Sequence, residues 1–203
     1  MKEFWNERYK VEGSAYGHEP NEFFKQQLTK LKPGKILLPA EGEGRNAVFA
    51  SKMGWQVFAF DQSEAGKIKA EILARQHEVE INYVVGEFEE IEFNQESFDC
   101  IGLIYAHFST EKKSRYHQTL DRYLKKGGCI ILEAFSKKNL ELNSLGINSN
   151  GPKDLGMLFS ADEIKKYFRN YEIIELKEEN IDLDEGRYHK GRSTVIRFVG
   201  RKK

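Results

Sequence analysis

The chain has 203 residues, 39% of them apolar and 12% aromatic, and a chain of that size buries roughly 70% of its unfolded surface. Its 32 basic and 32 acidic side chains cancel, so no global field draws it to nucleic acid or to an anionic membrane. Residues 1–5, Met-Lys-Glu-Phe-Trp, lack the apolar core of a signal peptide, and no apolar run approaches the ~18 residues of a membrane span. A cytoplasmic protein is expected.

Read along the chain, the pattern alternates. Residues 20–31 form an amphipathic helix with Phe24, Leu28 and Leu31 on one face, broken by Lys32-Pro33-Gly34. Residues 35–38 are a short apolar strand suited to burial on both faces. A glycine turn leads to a helix at 45–52, a strand at 55–60, a helix at 63–76 and a strand at 81–85. A strand at 98–105, a helix at 110–124, the turn Lys126-Gly127-Gly128 and a strand at 129–135 follow. Such alternation predicts βαβ units and a doubly wound, mostly parallel Rossmann-like sheet. Residues 139–157, rich in Asn and Gly, are expected as a loop on the ligand side. The end differs: a helix at 161–168, a strand at 171–176, a polar loop and a strand at 193–199. Two strands without a helix between them predict an antiparallel edge pair. Cys100 and Cys129, the two cysteines, lie among apolar strand residues without ligand-spaced partners. Buried thiols are expected, with no metal site and no disulfide.

Ligands of such sheets bind beyond the carboxyl ends of the strands. After the first strand comes Pro39-Ala40-Glu41-Gly42-Glu43-Gly44-Arg45-Asn46, where Gly42 and Gly44 permit a tight turn and close approach of backbone to a ligand. The next strand ends at Asp61, about 20 residues on, where a carboxylate can accept hydrogen bonds from a ribose diol. The pair points to an adenosine-containing cofactor. Singly, each has a plainer reading: the glycines an ordinary turn, Asp61 a cap for the helix after it. The run Gly42-Glu43-Gly44-Arg45-Asn46-Ala47 also fits the dinucleotide pattern G-x-G-x-x-G/A. Glu41 and Glu43, however, disfavour a pyrophosphate and suit a ligand that carries an ammonium and a sulfonium.

With these residues in view, the chain resembles the class I S-adenosylmethionine-dependent methyltransferases, in their tellurite-resistance-like and thiopurine-like small-molecule branch. The likeness runs over nearly the whole chain. It rests on residues 4–9 and 15–21, on residues 41–50 (Glu-Gly-Glu-Gly-Arg-Asn-Ala-Val-Phe-Ala), and on Asp61-Gln62-Ser63. It continues through Phe98-Asp99, Tyr105-Ala106-His107-Phe108, residues 124–128, and Glu185-Gly186-Arg187-Tyr188-His189-Lys190-Gly191. The resemblance implies one domain over 1–203, with a helical lid at 1–31 and a seven-stranded core at 35–203. It implies S-adenosylmethionine as cofactor and a small-molecule methyl acceptor. No metal is expected, and the balanced charge and the lack of a basic patch with interleaved aromatics leave no nucleic-acid or membrane partner expected. The chain is expected as a monomer or homodimer. The family's first loop reads Asp-x-Gly-x-Gly-x-Gly. Here Leu38 replaces the acid and Ala40 the first glycine, and Glu41 would take over the contact with the methionine amino group.

The resemblance assigns cofactor binding to Glu41, Gly42, Gly44, Asn46, Asp61, Gln62, Glu87, Phe88, Tyr105 and Ala106. Glu87 would contact the adenine amino group, with Phe88 packed on the ring, and Trp5, Tyr9 and Tyr16 would close over the cofactor. Methyl transfer is a direct displacement in which the protein mainly positions and desolvates. A base is needed only for a protic acceptor; His107 and His189 are the candidates, while Arg45, Arg187 and Arg192 would steer an anionic one. Plainer readings stand beside these: His107 as a satisfied core histidine, His189 in an exposed loop, Glu87 exposed among acids, Trp5 and Tyr9 as packing. Two other functions remain: a cofactor-binding protein of the same fold without activity, and an NAD-dependent oxidoreductase, which lacks a Tyr-x-x-x-Lys hydride-transfer constellation.

Overall fold

The structure, a computed structural model, describes residues 2–147 and 150–203. Helices α1 (Lys2–Tyr9) and α2 (Glu22–Leu28) precede β1 (Lys35–Pro39), α3 (Arg45–Lys52), β2 (Gln56–Asp61), α4 (Glu64–Gln76) and β3 (Asn82–Val85). Then come β4 (Phe98–Ile104), α5 (Thr110–Tyr123), β5 (Leu124–Phe135), α6 (Asn139–Ser144), α7 (Ala161–Tyr167), β6 (Tyr171–Glu185) and β7 (His189–Lys202). The seven strands are ordered β3-β2-β1-β4-β5-β7-β6. The first five are parallel, and β7 is antiparallel to both β5 and β6. This is the Rossmann-like sheet with an antiparallel edge pair that the alternation predicts.

Local chemistry sets the helix starts. The Asn21 side chain accepts from Phe24 N–H and the Ser63 hydroxyl from Gly66 N–H, while Ser160 and Glu163 form a capping box at α7. Strand side chains alternate between two apolar layers. In β1, Ile36 and Leu38 pack with Phe24, Ala47 and Ala70 on the α2–α4 face. Leu37 faces the other way, into the layer with Leu120, Ile164 and Phe168. Burial on both faces explains why β1 reads as an unbroken apolar run.

Three expectations need correction. The edge strands are much longer than 171–176 and 193–199: β6 and β7 stay paired out to Glu185 and His189, so the expected polar loop is a hairpin that reaches past the sheet. Alternating Glu, Lys and Asp along it suits a strand exposed on one face and hid the strand from an apolar-run reading. Strand β5 starts at Leu124 and runs through Lys126-Gly127-Gly128, because an irregularity in its pairing with β4 between Phe98 and Cys100 absorbs the glycines. Within 139–157 the structure places α6 and a 3-10 turn at Leu155–Met157; Asn148 and Ser149 lie outside the described residues. Cys100 and Cys129 are buried free thiols. No described helix is long and apolar enough to cross a membrane, and the described residues hold no cluster of three or more potential metal ligands.

Candidate active site

The carboxyl ends of β1, β2 and β4 form a floor with two unusual backbone positions. Ala40 (φ 54°) and Tyr105 (φ 52°) follow β1 and β4 in the left-handed region, which costs a residue with a Cβ about 1 kcal/mol or more and tends to occur at functional sites. Gly42 (φ 62°) and Gly44 (φ 83°) continue the turn. A Cβ on Gly42 would lie 2.5 Å from the Tyr9 hydroxyl, and one on Gly44 would lie 2.5 Å from the Ala70 methyl. The close approach expected of these glycines is therefore to the protein's own side chains.

Two buried acids face this turn. Glu41 Oε1 accepts the Ala47 N–H (2.7 Å) at the start of α3, and burial pushes its carboxyl up to about 7. Asp61 accepts from Gly42 N–H (3.1 Å) and Ser63 N–H (2.9 Å). Burial raises it to about 6 against those two hydrogen bonds. Among the described residues neither acid has a cationic side chain within ion-pair distance. Each would be relieved by a positively charged or hydroxyl-bearing ligand.

Around the floor stand aromatic walls. Phe88 stacks on Tyr116 (3.9 Å, 11°) and meets Phe60 and Phe108 edge-on at 5.6 Å. Glu87 is exposed at the start of the 3-10 turn Phe88–Glu90, where its N–H donates to Glu90 Oε2. Tyr105 donates its hydroxyl to Glu133 (2.8 Å). Glu133 has no exposed surface and is also held by Asn21 (2.6 Å) and Arg197 (2.5 Å).

The roof joins the two ends of the chain. Arg187 N–H and Tyr188 N–H both donate to Ala15 O, and Gly186 packs directly on Tyr16 and Gly17. Glu43 accepts from the Ser14 hydroxyl and Ala15 N–H (2.8 Å each) and pairs with Lys69. Helix α1 is moored by Asn6, which accepts from the Ser63 hydroxyl (2.7 Å), and by Arg8, which lies over the Tyr188 ring at 3.9 Å. Trp5 stacks on Tyr9 (5.5 Å, 22°).

Together these elements enclose a cavity of about 570 Å³, ample for a nucleoside cofactor with an acceptor beside it. Glu41, Asp61 and Glu87, after β1, β2 and β3, line it. Lys112, Lys153, Arg187, His189 and Lys190 line it as well.

The fold and the cavity can now be set beside known proteins. Residues 37–132 match the family described as a methyltransferase domain. Over that segment the chain is similar to a methyltransferase domain. The segment runs from Leu37 in β1 to Leu132 in β5 and so holds Glu41, Asp61 and Glu87. S-adenosylmethionine is the cofactor it takes, and the site suits it: two buried acids without cationic partners fit a ligand bearing an ammonium, a ribose diol and a sulfonium. A SAM-dependent methyltransferase from Methanosarcina mazei is 16% identical, with a TM-score of 0.71 over 91% of this chain and 98% of that one. TehB from Haemophilus influenzae is also 16% identical, at 0.73 over 100% of this chain and 67% of that one. An S-adenosylmethionine-dependent methyltransferase from Clostridium acetobutylicum is 14% identical, at 0.63 over 89% of each. At these identities the likeness is one of fold. No curated protein sequence matches the chain.

Of the residues assigned from sequence, Glu41, Asn46, Asp61, Gln62, Glu87, Phe88, Tyr105, His107 and His189 line the cavity. Gly42, Gly44 and Ala106 do not: Tyr9 covers Gly42, Ala70 abuts Gly44, and the Ala106 side chain is core. Asn46 accepts Asn21 N–H (3.0 Å), so its amide oxygen fastens α2 to α3. His107 is fully engaged, with Nδ1 on Met157 O (2.9 Å) and Nε2 accepting Phe135 N–H (3.3 Å). Burial holds it at about 4. It fixes the wall at Met157 and has no lone pair left for an acceptor's proton. Arg45 is also reassigned: it donates to Tyr16 O (3.0 Å) and Glu185 (2.8 Å) and so clamps the roof. His189, a candidate base whose plainer reading is an exposed loop, is buried at the foot of the β6–β7 turn. Glu133, Asn21 and Glu43 escaped the reading of the sequence. Glu133 had a signal, a lone acid inside the apolar run of β5; Asn21 and Glu43 had none, because their partners lie far along the chain.

Proposed function

We propose that this chain transfers the methyl group of S-adenosylmethionine to a small molecule, as a member of the tellurite-resistance-like and thiopurine-like branch. The observation that carries the proposal is a roofed cavity lined by two buried, cation-seeking acids, Glu41 and Asp61, at the ends of β1 and β2, and by basic groups and His189. S-adenosylmethionine brings an electrophilic methyl group on a positively charged sulfur. Everything else falls to the chain. Glu41 binds the methionine ammonium, Asp61 the ribose hydroxyls, and Gln62, Glu87 and Phe88 border the adenine. Trp5, Tyr9 and Tyr16 in the lid exclude water from the reacting centre, which keeps the electrostatics strong. His189 takes the acceptor's proton.

A roofed cavity of this size argues for a small acceptor, since a nucleic acid or protein segment needs an open groove. The acids at the glycine turn argue against the pyrophosphate of NAD. The reading of a binder without activity draws on Leu38 in place of an acid and on the strained Ala40. Methyl-labelled cofactor and a deproteinised metabolite extract separate the two: enzyme-dependent passage of label into small molecules is expected. Tight cofactor binding with no label transferred would leave the binder.

A further inference from the structure

His189 is flanked by Tyr16 and Tyr105, whose ring centroids lie 4.5 Å and 4.4 Å from its own. Phe135 is edge-on behind it at 5.3 Å. Its Nδ1 lies 3.4 Å from Glu185 Oε2, the one hydrogen bond of this ring among the described residues, and the side chain lines the cavity. Glu185 is itself held from two sides: Arg45 donates to Oε2 (2.8 Å) and Asn21 to Oε1 (3.1 Å). Asn21 also donates to Glu133 (2.6 Å), which accepts the Tyr105 hydroxyl. The other Arg45 nitrogen donates to Tyr16 O (3.0 Å) in the roof.

Resting on the methyl-transfer reading of this cavity, we infer that Glu185 is the positioning residue that fixes His189 with hydrogen on Nδ1 and a lone pair on Nε2, so that the site takes a protic acceptor, a hydroxyl or a thiol. A carboxylate can only accept from the imidazole, and this selects the tautomer. Burial pushes the Glu185 carboxyl up, but His189 and Arg45 outweigh it and hold it at about 2, ionised. Burial also lowers His189, opposed by Glu185 and aided by Arg45 and Arg8, so the ring is neutral. When the acceptor attacks the methyl carbon, the carbon–sulfur bond breaks and its electron pair stays on sulfur. The acceptor's proton passes to Nε2, and Glu185 stabilises the imidazolium. Arg45 ties this arrangement to Tyr16 O, so the base is assembled where the roof is closed.

The tautomer is measurable without knowing the acceptor. In the full-length protein with 15N-labelled histidine, His189→Ala assigns the resonance, and long-range proton–nitrogen correlation should show Nδ1 protonated and Nε2 not. In Glu185→Gln the imidazole should titrate at lower pH than in the parent, and Glu185→Asp should recover part of that shift. An Nε2-protonated His189 in the parent would overturn the inference and leave an already ionised acceptor. Unchanged titration in Glu185→Gln would overturn it too, and the parent spectrum decides even if the variants fail to fold. Calorimetry with S-adenosylmethionine on the same sample separates the two levels: absent binding sinks the methyl-transfer reading, whatever the tautomer.

Discussion

The floor of the cavity is built from strand ends and their turns, between Ala40 and Phe108, whereas its roof joins residues 4–17 to residues 185–190. The floor is held by backbone: Gly42 N–H and Ser63 N–H on Asp61, Ala47 N–H on Glu41. The roof is held by charged side chains that span the sequence, Arg45 to Glu185 and Glu43 to the backbone at Ala15. A floor made this way keeps its shape with the roof removed, while the roof cannot form without the acids and arginine of the floor. On the methyl-transfer reading, recognition of the cofactor falls to the backbone-held floor and exclusion of water to the roof.

Four changes test that division. The largest effect is expected at Glu133, which serves both parts: Glu133→Ala strands Arg197, Asn21 and Tyr105 and should cost about 3–5 kcal/mol in denaturant unfolding. A loss below about 1 kcal/mol would show that the network matters little. Next comes Gly44→Ala, a floor change that sets a methyl group 2.5 Å from the Ala70 Cβ at φ 83°. It should cost about 2 kcal/mol or more and lower the melting temperature with the roof contacts intact. Deleting residues 1–20 strips the roof. The remainder should still fold cooperatively by circular dichroism but bind S-adenosylmethionine at least about tenfold more weakly, about 1.4 kcal/mol. Full affinity would mean that the roof plays no part in cofactor binding. The smallest effect is a gain: Ala40→Gly relieves φ 54° and should stabilise by about 1 kcal/mol in the same unfolding assay.

Charge sharpens the comparison further. The Glu41 and Asp61 carboxyls, raised by burial to about 7 and about 6, lie above their unfolded values. In the empty protein they therefore favour the fold at low pH and lose that contribution as pH rises through 6 to 7. A cationic ligand reverses the preference, since it needs them ionised. The rise in melting temperature given by S-adenosylmethionine should shrink as pH falls from 8 to 5, and binding at pH 6.5 should release protons. His107 and His117, kept neutral by burial at about 4 and about 3, act in the opposite sense on the empty fold, losing stability as pH falls below 6.5. Comparing liganded with unliganded protein at each pH largely removes their contribution.

The same division governs what could be read in the sequence. Strands β1 to β5, the helices between them and the pair Gly42 and Asp61 follow from short-range pattern: period, glycine, an acid at a strand end. That Glu41 and Asp61 line the cavity was legible for that reason. Long-range pairing leaves no local mark. Nothing around Glu43 shows that it receives the backbone of residue 15, and nothing around Asn21 shows that it bridges Glu133 and Glu185. His189 read as loop because the charged residues of the hairpin mask its strands, and only a resemblance placed it near the acceptor. His107 was misjudged for a related reason: its position at a strand end suits a base, but Met157 O and Phe135 N–H, which occupy its nitrogens, come from other parts of the chain.

The most direct test of the account is calorimetric titration of the intact protein with S-adenosylmethionine, S-adenosylhomocysteine and NAD, repeated on Asp61→Ala. Micromolar binding of the first two, none of NAD, and at least about tenfold weaker binding by the variant are expected. Binding of NAD alone, or an Asp61→Ala affinity equal to the parent's, would contradict the assignment of this cavity.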